Sequence, residues 1–214
     1  EYRDRLFPCN VHGKRLNQNV LVPSRSGYIG KRAPDFLFAN DDWFRGIELK
    51  YGPDGGVYLI DWCDNGECHD FKHIDRTNGR IYKITYGETK PVKPHLSKLS
   101  DLELVQLQLH PNEWFVRQSR LVLQHRKVTQ GQLDSVAIEE LNRILVKHED
   151  VSRQLRGLWT LHACGYLSDA QREAVLGHPH EALRKWGIQL ELEDRKVTPE
   201  VLNRMVKLAR DDES

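Results

Sequence analysis

The sequence predicts a chain of two characters, β structure first and α-helix second, and three observations carry that reading. Ten of the 15 glycines and six of the seven tyrosines precede Leu96, whereas 21 of the 27 leucines lie at or after it. Before Leu96, apolar residues alternate or cluster in short runs between Gly, Pro, Asn and Asp, the punctuation of strands joined by turns. From Leu99 onward they recur at helical spacing, with Leu102, Val105 and Leu109 on one face and Phe115, Ser119 and Val122 on the next.

In the first half the apolar runs place strands at 6–11, 20–22, 36–38, 47–49, 57–60 and 81–84. Gly52-Pro53-Asp54-Gly55-Gly56 is a turn: proline presets φ early in it, and glycine accepts positive φ where a side chain would clash. A hairpin is therefore expected between residues 45–51 and 57–62, with 79–84 as the next antiparallel strand. In that strand Ile81 and Lys83 face one way, Tyr82 and Ile84 the other. Three such strands make up most of a propeller blade, and they also fit a meander or a sandwich.

The second half divides into helical segments at 133–146, 151–163, 170–176, 181–192 and 199–209, after those that begin near Leu99 and Asn112. Ser100-Asp101, Asn112, Ser168 and Thr198 suit N-caps, and Pro199 suits a first helical position. A weak repeat aligns Val116-Arg117, Leu155-Arg156 and Leu183-Arg184, each after a His-containing turn: His110-Pro111-Asn112, His148-Glu149-Asp150 and His178-Pro179-His180. Trp159 and Trp186 fall within the apolar periodicity and are expected in the core.

Charge is balanced in both halves, with 15 Lys and Arg against 13 Asp and Glu before Leu96 and 17 against 18 from there on. A nucleic-acid-binding face needs a basic excess to neutralise phosphates, so nucleic acid is not expected as a partner. No run approaches the roughly 18 apolar residues of a membrane helix, and the N-terminus lacks the basic and apolar regions of a signal peptide. The chain starts without Met and stops just after a helical pattern, and is read as a piece of a longer protein.

Chemistry-bearing residues concentrate between Asp61 and Arg80. Cys63 and Cys68 are spaced to close a small disulfide, and the same pair also suits free thiols or a metal site. Cys63-x4-Cys68-His69 differs from the Cys-x-x-Cys-His of covalent heme attachment, which occurs nowhere in the chain. His69, with His73 four positions on, suits proton transfer, part of a zinc site with the two cysteines, or a loop imidazole hydrogen-bonded to nearby carboxylates. Asp61, Asp64, Asn65 and Glu67 offer oxygen ligands for Ca²⁺ without EF-hand spacing, and also suit Asx turns. Arg76 is placed to pair with Asp61 or Asp75. Arg45, Trp43, Tyr58 and Trp62 suit either the lining of a propeller mouth, stacked on a sugar or cofactor ring, or packing between adjacent blades, while isolated Cys9 and Cys164 are expected as small buried hydrophobes.

Tyr51-Gly52-Pro53-Asp54-Gly55, Tyr58-Leu59-Ile60-Asp61-Trp62, Gly66-Glu67-Cys68-His69 and the segment Asp75-Arg76-Thr77-Asn78-Gly79-Arg80-Ile81-Tyr82-Lys83 together resemble the end of the propeller in membrane-bound dehydrogenases. That family is also described as PVC-type heme-binding CxxCH proteins. Asn10-Val11-His12-Gly13 and Asn40-Asp41-Asp42-Trp43-Phe44-Arg45 are similar too. The resemblance implies a partial β-propeller of one to two blades, akin to glucose/sorbosone dehydrogenases, over residues 1–95 and an α-helical HEAT-like solenoid over 96–214.

It further implies a periplasmic or membrane-associated parent that oxidises a sugar or alcohol, using pyrroloquinoline quinone and Ca²⁺, and passes electrons to a cytochrome c module outside this chain, where the heme belongs. His69 and Asp61 are then the catalytic candidates, Arg45 and Trp62 the substrate- or cofactor-lining ones, and Cys63 and Cys68 the disulfide pair; no residue is assigned as a metal ligand. With so few blades, autonomous catalysis is not expected. The alternative is a non-catalytic HEAT-like binding or scaffold module, anchored by the terminal blade and offering its helical surface to a protein.

Overall fold

A computed structural model of the chain describes residues 4–24, 27–64 and 72–211. It divides into two compact units, Glu1–Lys93 and Pro94–Ser214.

The first unit holds two small open sheets. One is organised by a long antiparallel hairpin, β3 (Arg15–Ser24) with β4 (Gly27–Phe38); the short strands β1 (Arg5–Leu6) and β2 (Cys9–Asn10) pair with successive stretches of β3. The other is a three-stranded meander, β5 (Gly46–Tyr51), β6 (Val57–Asp61) and β7 (Arg80–Ile84), in that order. The turn at 52–56 joins β5 to β6: Gly55 takes φ +79°, and Gly56 N–H donates to Asp54 Oδ1 at 3.1 Å. Leu16, Phe44 and Leu59 are the buried centre of this unit, with Phe36, Leu49 and Ile84 packed against them.

This architecture corrects the expected partial propeller. A blade is a four-stranded sheet set around a central channel. Here β5 and β7 are both open edges of a three-stranded sheet, and the other sheet is built on strands of 10 and 12 residues. The apolar pattern predicts only 36–38 of β4, because Gly30, Lys31, Arg32, Pro34 and Asp35 resemble loop. The strand persists because pairing with β3 supplies its hydrogen bonds while much of it faces solvent. Pro34 falls where the register slips between Leu16 and Gln18, so its missing N–H disrupts no regular ladder.

The second unit is helical: α1 (Asp101–Gln106), α2 (Glu113–Gln130), α3 (Ser135–Lys147), α4 (Val151–Ala163), α5 (Asp169–Leu176), α6 (Glu181–Glu191) and α7 (Pro199–Asp211), with short 3₁₀ turns at Leu96–Lys98 and Leu107–Leu109. The first six form three hairpins, α1 with α2, α3 with α4 and α5 with α6; α2, α4 and α6 also contact in succession. One apolar core runs through the unit from Leu96 and Leu104, by way of Leu123, Leu141 and Leu158, to Leu183 and Leu190. The HEAT-like solenoid is corrected as well: the first pair has 6 and 18 residues and the third 8 and 11, too unequal to be copies of one repeat.

What recurs is local. His110, His148 and His178 each accept, at Nδ1, the backbone N–H two residues on, at 2.9, 3.0 and 3.0 Å. Those residues, Asn112, Asp150 and His180, cap α2, α4 and α6 by accepting from Trp114, Ser152 and Ala182 N–H. Nine positions after each histidine comes a small residue: Ser119, Gly157 or Gly187. A Cβ on Gly157 would lie 3.0 Å from the Leu145 nitrogen of α3, and one on Gly187 3.0 Å from Val175 Cγ1 of α5. The recurrence therefore couples a cap to a close helix crossing, in a register anchored on histidine rather than on the Val-Arg and Leu-Arg pairs. The first helices start differently, α1 and α5 through capping boxes Ser100 with Glu103 and Ser168 with Gln171.

Candidate functional site

The chemistry-bearing residues of the sheet unit converge at the end of β6 and the start of β7. Asp61, 3 % exposed, accepts the Arg45 backbone N–H on Oδ1 at 2.6 Å and Arg80 Nε on Oδ2 at 2.8 Å. Arg80 continues to Asp41, whose Oδ2 accepts from Nη1 at 2.5 Å while its Oδ1 accepts Trp43 N–H at 2.9 Å. The Trp43 N–H, and then the Arg80 guanidinium, hold the Asp41 carboxyl below its ordinary value. The Arg45 guanidinium donates to the Phe44 carbonyl at 3.0 Å, and Trp62 is exposed with its indole N–H on Asp64 Oδ2 at 2.8 Å. Asp61 and Arg45 thus meet as a latch between the two edges of the meander, with Arg80, not Arg76, as the cation.

His69, Cys68, Asn65 and Glu67 lie outside the described residues, and with them the expected pairing of Cys63 with Cys68. The described donors do not fit Ca²⁺. Asp61 and Asp64 face guanidinium and N–H groups instead of presenting an open oxygen cage, and among the described residues no group of three or more His, Cys, Asp or Glu could hold a metal ion. Cys9 and Cys164 are separate thiols whose pKa burial raises, that of Cys164 to about 11.

The helical unit presents a different site, a groove of about 680 Å³ on the face shared by α2, α4 and α6. Arg117 and Arg120 come from α2, Trp159 and His162 from α4, Trp186 and Gln189 from α6. The two indoles meet edge to face, 5.0 Å between centroids, and the Arg120 guanidinium lies 5.5 Å from the Trp159 centroid. Behind the groove, the fully buried Gln108 forms a knot. Its Nε2 donates to Val116 O and Ser119 Oγ, and its Oε1 accepts from Arg120 Nη2 and Thr160 Oγ1, both at 3.1 Å. Arg156 donates to the carbonyls of Gln108 and His110 and pairs with Glu113.

Both tryptophans pack against the core as expected, and they also wall this groove, a role the periodicity did not reveal. Arg120 was missed too. Its signal was present: it follows Val116 by four residues and precedes Leu123 by three, on the stripe that α2 buries. A charged residue at a core-facing position asks for a reason.

A family model described as a domain of unknown function (DUF7133) matches residues 1–88. No curated protein and no solved structure matches the chain. Among the described residues no helix is long and apolar enough to cross a membrane. These findings correct the resemblance to membrane-bound, heme-binding dehydrogenases. The matched domain is one of unknown function, the sheets do not close into a propeller, and among the described residues no cluster could hold a metal ion. The description as an oxidoreductase fragment falls with them.

Proposed function

We propose that the chain is a non-catalytic binding module whose helical unit receives a segment of a partner protein in the groove of α2, α4 and α6. The observation that carries this reading is the pairing of two tryptophans with two arginines around one cavity of about 680 Å³. Trp and Arg are the side chains most enriched where interfaces concentrate their binding energy, and the volume suits a few side chains of an inserted segment. The helices behind the groove are fixed by the Gln108 knot and the caps of α2, α4 and α6, so the surface is preorganised and binding need not order it.

The test is selection of a random peptide library on the full chain, followed by fluorescence anisotropy of the selected peptides. Trp186→Ala is expected to weaken binding by about tenfold or more, the loss of one hot-spot aromatic, and exposed Gln189→Glu to change it measurably. Selected peptides that bind wild type and both variants alike, or a library that yields none, would refute the reading.

A further inference from the structure

We infer that the segment received in this groove is acidic, seating a carboxylate on Arg120 and an apolar side chain against Trp159 and Trp186. The inference rests on the groove being a protein-binding site and adds the chemistry of its partner.

Arg120 is the reason. Its Nε donates to Thr160 Oγ1 and its Nη2 to Gln108 Oε1, both at 3.1 Å, and the ring of Trp159 covers one face. Every one of these partners is neutral, and Nη1 makes no hydrogen bond to any described residue. Of the two carboxylates that line the same cavity, Glu113 pairs with Arg156 and Glu193 hydrogen-bonds to His162. Arg117, three residues away on the same helix, adds a second positive charge to the wall. A largely buried cation without a counter-charge is held at a cost that a docking anion relieves. Burial, and then the neighbouring Arg117, push the Arg120 pKa down to about 10, in keeping with that cost.

A free inorganic anion would meet the guanidinium but leave the indole pair and the exposed Leu192 uncovered. An acidic peptide with an adjacent aliphatic side chain satisfies both. The guanidinium fork, already held at two corners, offers its third to a carboxylate oxygen in a charge-assisted hydrogen bond.

The experiment compares fluorescein-labelled octapeptides of alternating Glu and Leu with Gln and Leu counterparts, by anisotropy on the full chain at low and moderate salt. The Glu peptide is expected to bind about tenfold more tightly, with the preference shrinking as salt rises. Arg120→Gln should bring the two peptides to near parity. Arg117→Gln, at an exposed position, should reduce the preference severalfold without touching the Gln108 knot, and circular dichroism confirms that each variant is folded. Equal binding of the two peptides, or a preference for Glu that survives both substitutions, overturns the inference. If both peptides bind equally and both lose affinity in Trp186→Ala, the groove stands and only its acidic partner falls. If neither these peptides nor any library-selected peptide depends on Trp186, the binding-module reading itself falls.

Discussion

The two units solve the same stability problem by different means. The helical unit carries a continuous apolar core from Leu96 to Leu190, with buried polar contacts such as the Gln108 knot and the Arg126–Asp101 pair set around it. The sheet unit has a thin core centred on Leu16, Phe44 and Leu59 and holds its strands in register with ionic latches: Asp61 and Asp41 on Arg80, and Asp54 with Lys83 and Tyr58. Small open sheets bury little apolar area, so charged side chains along the edges contribute more of their specificity. Apolar packing dominates one unit, and charged latches supply more of the register of the other.

The largest effect that would test this contrast is in the helical core. Leu158 is fully buried where α4 meets the rest of the unit, and Leu158→Ala should cost about 3 kcal/mol by removing buried methyl groups and leaving a cavity. Hydrogen exchange by mass spectrometry should show faster exchange across α2 to α4 and an unchanged meander. Equal loosening in β5 to β7 would break the comparison.

Next in size is the latch. Asp61→Ala leaves the buried Arg45 N–H and the Arg80 Nε without their acceptor while Arg80 keeps Asp41, and should cost about 2 kcal/mol, seen as accelerated exchange confined to β5, β6 and β7. An exchange pattern identical to wild type would show that the thin apolar core alone holds the meander.

The smallest effect is a pH dependence at Asp54. Lys83, then the Gly56 N–H and the Tyr58 hydroxyl, lower its pKa from 3.8 to about 2. A carboxylate whose folded pKa is depressed stabilises the folded state fully above the ordinary value, and this contribution is lost as the pH falls towards the folded one. An acid titration of exchange in the β5–β6 turn should therefore separate wild type from Asp54→Asn above pH 3.8 and bring them together near pH 2. A difference that persists unchanged at pH 2 would remove the ionic latch from the account.

Local signals were legible where chemistry and spacing agree. The turn at 52–56 is written in Pro53, Asp54 and Gly55, and the starts of α1, α2 and α5 in Ser100, Asn112 and Ser168. The starts of α3, α4 and α6 lie at Asp134, Asp150 and His180, of which the last two sit within the His-containing turns. Strand β4 was hidden because an edge-exposed strand has no obligation to alternate, and its glycines and charges read as loop. The resemblance of the residues around Asp61 to a dehydrogenase propeller was misleading for a physical reason: the carboxylate and arginines that suggest a polar pocket also make a register latch, and only their partners tell the two apart.

By itself the sequence determined the division into a β half and a helical half, because turn residues and hydrophobic period are local properties of the chain. It also determined the caps at Ser100, Asn112 and Ser168, which are contacts between residues two or three apart. Tertiary structure alone decided that the sheets stay open, that Asp61 meets Arg80, and that Arg120, Trp159 and Trp186, drawn from three separate helices, face one groove. Each of these depends on contacts between residues 19 to 66 positions apart, set by how elements pack, and no local pattern encodes that.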